Sequence, residues 1–125
     1  MSTTISGTNG VTFPDSTSMQ TGQQACKAWV NFDGTGTVAI RDGYNVSSIT
    51  DNAIGDYTVN FTTAMPDANY ATVVSSGRNG TGTGGYLTLP SDASAQTASS
   101  VQIYTIMVSG GTADTPIVFA TIFSN

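Results

Sequence analysis

From residue 25 to the end of the chain, apolar side chains come in alternating or short continuous runs at 25–32, 37–41, 44–50, 57–62, 69–75, 86–89, 101–109 and 116–123, with no helical period. Turn formers separate the runs: Asp33-Gly34, Asp42-Gly43, Asp51-Asn52, Pro66-Asp67, the glycine-rich stretch 80–85, Pro90-Ser91-Asp92 and Gly110-Gly111. Strands that recur about every ten residues predict an all-β chain folded as an antiparallel, jelly-roll-like β-sandwich. Residues 92–99 are the one stretch where a helical turn fits, and they read as a loop.

Alternation also assigns faces. Along Tyr57-Thr-Val-Asn-Phe-Thr62, the aromatic and Val side chains share one face and the polar ones the other, as in a half-exposed strand. The last two strands differ. Ile103, Thr105 and Met107 oppose Tyr104, Ile106 and Val108, while Val118, Ala120 and Ile122 oppose Phe119 and Phe123. A sandwich strand gives one face to its core, so a second apolar face needs a cover: another subunit, or a central place between two sheets. Tyr104, Ile106, Phe119 and Phe123 are therefore candidates for an oligomer interface.

Residues 1–22 are of another kind, polar and broken by Gly7, Gly10, Pro14 and Gly22, with Ile5, Val11, Phe13 and Met19 as their large apolar groups. Such a segment cannot build a core of its own. It lies on the domain, pairs with other copies of itself, or stays loose. The chain thus divides into an extended stem or attachment segment, 1–22, and a sandwich domain, 23–125. Val11 and Phe13 join the candidate interface.

Composition sharpens this picture. Charged residues are 9% of the chain, against roughly 25% in ordinary globular proteins. All eight acidic residues are Asp, and the cations are Lys27, Arg41 and Arg78. Scarce Glu and Lys argue against helices, and abundant Thr, Val, Ile, Tyr and Phe suit strands. A net charge of -5 with three cations excludes a conventional grip on nucleic acid and disfavours an anionic membrane. No apolar run approaches the ~20 residues of a membrane span, and the start Met1-Ser-Thr-Thr-Ile-Ser6 lacks the basic and apolar regions of a signal peptide. The expectation is a soluble chain made in a cytoplasm. The single cysteine, Cys26, excludes an internal disulfide and reads as a small buried apolar residue.

The chemistry available is narrow. Without His there is no imidazole base, no serine triad and no His-metal site, and one Cys makes no thiolate zinc site. No Asp-x-Asp-x-Asp-Gly pattern offers a calcium loop, so no metal or cofactor is expected. Paired carboxylates are the one catalytic arrangement left, with Asp33 and Asp42 or Asp51 and Asp56 as candidates. Each sits beside Gly or Asn in a turn setting, where Asp is explained by bonds to nearby backbone N–H groups, so no enzyme is expected. The run Gly77-Arg-Asn-Gly-Thr-Gly-Thr-Gly-Gly85 lacks the Gly-Lys-Ser/Thr ending of a phosphate loop and leads into a strand. A loop of this composition, with Arg78, Asn79 and the neighbouring Tyr86, suits adaptable contact with a sugar or a protein. Trp29 belongs with the core or at a subunit boundary; stacking on a sugar requires it exposed on a concave surface. The sequons at Asn45, Asn60 and Asn79 are chance products of a Thr- and Ser-rich chain.

Two segments carry a resemblance to a known family. Gly10-Val-Thr-Phe-Pro-Asp-Ser-Thr-Ser-Met-Gln-Thr21, followed by Cys26-Lys-Ala-Trp-Val-Asn-Phe-Asp-Gly-Thr-Gly-Thr-Val-Ala-Ile-Arg41, resembles the distal modules of bacteriophage tail fibres, especially those of marine and cyanobacterial phages. The resemblance covers most of residues 7–75. It implies a virion structural protein, a homotrimeric tail fibre or fibre tip whose residues 1–22 form a stem or collar. Its implied partners are itself, other tail or head proteins, and a host-surface glycan or protein. A head fibre or capsid decoration is the alternative use, and a small hydrolase of capsular sugar a third.

Overall fold

The computed structural model describes residues 4–6, 10–12, 14, 16, 18–19, 26–77 and 86–124. Apart from one 3-10 turn, their regular secondary structure is antiparallel β. The strands are β1 (Thr4–Ser6), β2 (Gly10–Thr12), β3 (Ser18–Met19), β4 (Cys26–Asp33), β5 (Ala39–Tyr44), β6 (Val46–Ala53), β7 (Asp56–Phe61), β8 (Ala71–Ser76), β9 (Tyr86–Pro90), β10 (Ser100–Met107) and β11 (Val118–Phe123). Two four-stranded sheets form the body: β6-β7-β10-β9, the Tyr57 sheet, and β5-β4-β11-β8, the Trp29 sheet. The expected all-β sandwich is therefore the observed architecture.

The core lies where the sheets face each other. Ala28, Val30 and Phe32 of β4 and Val118, Ala120 and Ile122 of β11 meet Tyr57, Val59 and Phe61 of β7 and Val101 and Ile103 of β10, all buried. Two edge-to-face aromatic pairs anchor it, Phe32 on Tyr57 at 5.2 Å and Phe61 on Tyr70 at 5.7 Å. The alternation in β7 is the one expected, with Tyr57, Val59 and Phe61 inward and Thr58 and Asn60 outward.

Three local readings need correction. Asp42-Gly43 does not turn the chain; β5 runs through it with a bulge opposite Asn31 and Phe32. Gly43 is needed there for close approach, since a Cβ would come within 2.9 Å of the Trp29 carbonyl oxygen. Asp51-Asn52 likewise lies inside β6 at a second bulge, and the turn falls at Gly55, whose φ is +65°. The loop 92–99 contains a 3-10 turn, Ala93–Ala95, because the Asp92 carboxylate accepts the amides of Ser94 and Ala95 and caps it.

Within 1–22, the expected stem or attachment segment, three short strands occur. Strands β1, β2 and β3 pair antiparallel into a small three-stranded sheet that, among the described residues, shares no strand pairing with either sheet of the body. The chain folds back on itself through Pro14 and through Ser16, which has φ +69°.

Candidate functional site

Asn45 is where the two sheets exchange a strand. One residue separates β5 from β6, so the chain passes from one layer to the other without a loop. Asn45 makes this corner in the left-handed region, φ +56°, which Asn tolerates better than most residues. Its side chain then fixes the corner. Nδ2 donates to the carbonyls of Lys27 and Thr63, both at 3.0 Å, and Oδ1 accepts the Thr63 amide at 2.7 Å. Its own carbonyl accepts the Thr62 amide at 3.1 Å. The start of β4, the corner and the loop after β7 are thereby held together.

Against this corner opens a groove of about 530 Å³, lined by Lys27, Tyr44, Asn45, Thr62, Thr63, Ala64, Met65 and Pro66. In the lining Tyr44 is exposed and Met65 is buried, its amide donating to the Ala98 carbonyl at 2.7 Å. Lys27 brings the one charge in the lining. A wall with an aromatic face, hydroxyls, apolar surface and a cation can hold a ligand that is itself half apolar and rimmed with polar groups.

The groove opens onto the outer face of the Trp29 sheet. Tyr44 is directly paired with Trp29, which is paired in turn with Thr121, and Thr121 with Val73. Phe119 and Phe123 flank that row on β11. These residues are well exposed for their type: Trp29 37%, Val73 58%, Phe119 41% and Phe123 39%. Asn31, paired with Phe119 and Asp42, shares their face, and its buried Oδ1 accepts no hydrogen bond among the described residues. A buried acceptor without a donor costs about 1–3 kcal/mol.

The outer face of the Tyr57 sheet is built differently. Asn60 Nδ2 donates to Thr50 Oγ1 at 2.9 Å and Ser48 Oγ at 3.1 Å. Gln102 Nε2 donates to Asp56 Oδ1 at 2.7 Å and to the Tyr104 hydroxyl at 3.0 Å. Polar side chains there satisfy one another. The candidate interface residues thus divide: Tyr104 and Ile106, half-buried, belong to this polar face, and Phe119 and Phe123 to the aromatic one. Val108 has left the strand and is exposed in the turn.

The other candidates can be placed in part. Phe13, Arg78 and Asn79 lie outside the described residues; Val11 falls in β2 and Tyr86 begins β9 opposite Met107. Trp29 sits on the sheet surface. Cys26 is half-buried, its thiol donating to the Ala28 carbonyl at 3.0 Å.

The paired carboxylates have structural occupations. Asp33 Oδ1 accepts the Thr35 hydroxyl at 2.6 Å and amide at 2.9 Å, and Oδ2 meets Arg41 at 2.8 Å. The Thr35 bonds first, then Arg41, hold this carboxyl below the usual carboxylate range, the opposite of what a general acid needs. Asp56 takes the Asn52 and Gln102 amides, and Asp42 the Gly43 amide. No group of three or more metal-ligating side chains occurs among the described residues.

Tyr44, Thr62, Thr63 and Met65 escaped the sequence reading as a site. The usable signal was Asn45 itself, a left-handed-tolerant residue inside an otherwise continuous strand pattern. Comparison with known protein families, with curated proteins and with solved structures gives no match.

Proposed function

We propose that this chain is a virion appendage subunit of a bacteriophage, a tail fibre or fibre tip that self-associates and adheres to a host-cell surface. The observation that carries the reading is the aromatic outer face of the Trp29 sheet, with Asn31 Oδ1 buried in it and lacking a donor. A second copy of the chain is the occupant this face fits. Copies of net charge -5 repel one another, so a stable self-contact needs a patch free of carboxylates. β8 and β11, which supply Val73, Phe119 and Phe123, contain no charged residue, and the one carboxylate beside Asn31 on this face is that of Asp42 on β5, which accepts the Gly43 amide. A donor from the neighbouring copy would satisfy Asn31 as the aromatic side chains lose water.

The tail-fibre resemblance of Cys26-Lys-Ala-Trp-Val-Asn-Phe32 supports the biological setting and a trimer as the assembly. Adhesion through an open groove need not be strong, because many copies on one particle multiply weak single contacts.

Light scattering and cell binding test the two halves. A mass near three times 12.8 kDa is expected, and a strict monomer at high concentration would remove the self-association. Fluorescently labelled protein should coat host cells and compete with phage adsorption; failure on both counts would end the adhesive reading. Antibody labelling of the capsid rather than the tail would move the subunit to a head fibre or decoration role.

A further inference from the structure

We propose that the corner groove binds an acidic pyranose, a sugar ring carrying a carboxylate, as found in uronic-acid polysaccharides. The inference rests on the adhesive reading above and names the ligand class and the residues that select it.

The groove has the size of a small-ligand site, about 530 Å³, and its lining divides by chemistry. Tyr44 offers an exposed ring on which the C–H face of a pyranose can stack. Thr62 and Thr63 present exposed hydroxyl side chains suited to ring hydroxyls, and Ala64, Met65 and Pro66 add apolar surface to the lining. Both the Thr63 amide and carbonyl are already used by Asn45, so this wall is preset before a ligand arrives.

Charge selects the acid. Lys27 is the one ionised side chain in the lining, and no carboxylate lines the groove to neutralise it. Several acidic groups of this negative chain are engaged elsewhere: Asp33 with Thr35 and Arg41, Asp56 with Asn52 and Gln102, Asp67 with the Asn69 amide, Asp92 with its 3-10 turn and Asp114 with Tyr57. A single ammonium matches a single carboxylate. A phosphate monoester, with nearly two charges and three acceptor oxygens, calls for a guanidinium fork or a nest of amides, and the lining has neither.

Trp29 provides a local reporter, because it is the only Trp and is directly paired with Tyr44. The test titrates the full chain with tetragalacturonate, tetramannuronate and hyaluronan tetrasaccharide. Fully methyl-esterified tetragalacturonate serves as the neutral counterpart and mannose 6-phosphate as the phosphate arm. Trp29 fluorescence and calorimetry are read together. At least one uronate should bind, about tenfold or more tighter than the neutral ester. K27M should erase that preference, K27R should restore it, and Y44A should weaken every sugar while Y44F does not. Circular dichroism of each variant should match the parent.

Equal affinity for acid and ester, tighter binding of the phosphate, a preference that survives K27M, or no uronate binding would each overturn the proposal. Coating of host cells by the same preparation separates the two levels. Protein that coats cells but ignores uronates keeps the adhesive reading and loses this one; protein that does neither loses both.

Discussion

The hydroxyl of Tyr57 donates to Asp114 Oδ1 at 2.7 Å across fifty-seven residues of sequence, and the same oxygen accepts the Gly55 amide at 2.7 Å. The Gly34 carbonyl lies 3.0 Å from that hydroxyl, and the Gly34 amide donates to the Thr115 carbonyl at 2.9 Å. One tyrosine thus ties the β4–β5 turn, the β6–β7 turn and the chain before β11 at one end of the sandwich. The body of Tyr57 is wholly buried against Phe32, so its ring builds the core while its tip closes the end.

Removing that tip should be felt. Tyr57→Phe keeps the packing and deprives Asp114 of a donor, for an expected loss of about 1–2 kcal/mol in urea unfolding. Asp114→Asn keeps an oxygen for both donors and should cost less than Tyr57→Phe. The reverse order would show that the carboxylate charge, not the hydroxyl, holds this end.

The pH profile should be flat at neutrality and fall at both extremes. Burial pushes the Tyr70 phenol up to about 12 from its ordinary 10, and burial with the Asp114 carboxylate pushes Tyr57 up as well. A raised folded-state pKa means stability that is whole below pH 10 and lost as pH climbs from 10 through about 12. At the acid end Asp33 and Asp92 are lowered from 3.8, so their contribution is whole above that value and lost as pH falls below it. With no His in the chain, no imidazole titrates between these limits. Urea midpoints from pH 2 to 12 measure the profile; a step near pH 6 to 7 would contradict it.

Asn45 separates backbone strain from hydrogen bonding. Asn45→Gly keeps the left-handed corner and loses three side-chain bonds; Asn45→Ala loses the bonds and adds the cost of φ +56°, about 1–2 kcal/mol. The Ala variant should therefore be the less stable by about that difference. Equal losses would mean the corner relaxes.

The aromatic face should respond to charge without loss of fold. Phe119→Asp places a carboxylate on an exposed position of β11, so the monomer should unfold at nearly the parent midpoint while the scattering mass falls toward 12.8 kDa. Asn31→Val removes the unsatisfied oxygen, and it should stabilise the monomer while weakening self-association. An unchanged mass in both variants would place the self-contact on another surface.

Period-two alternation placed strands such as β4, β7, β10 and β11, because a strand buried on one face records that burial at every second residue; β5, exposed along its whole length, carries no such record and was cut short at Asp42-Gly43. Tyr57, Val59 and Phe61 were legible as core for this reason, and so was the second apolar face of β11 through Phe119 and Phe123. The absence of His and Glu and the single Cys were equally plain. Turn signals were less dependable. Asp42-Gly43 and Asp51-Asn52 have turn chemistry, yet both lie at bulges, since only the pairing with the partner strand decides whether such residues turn the chain or widen a strand. Apart from Asn45, the groove left no mark in the sequence. Lys27, Tyr44 and the stretch 62–66 lie far apart along the chain, and they meet because Asn45 carries one strand from sheet to sheet and binds the Thr63 backbone to the corner. Which strand lies beside which, and so which face of β10 or β11 is left to water, also depends on pairings between distant residues. Local periodicity fixes what each strand buries; only tertiary pairing decides what its exposed face is placed beside.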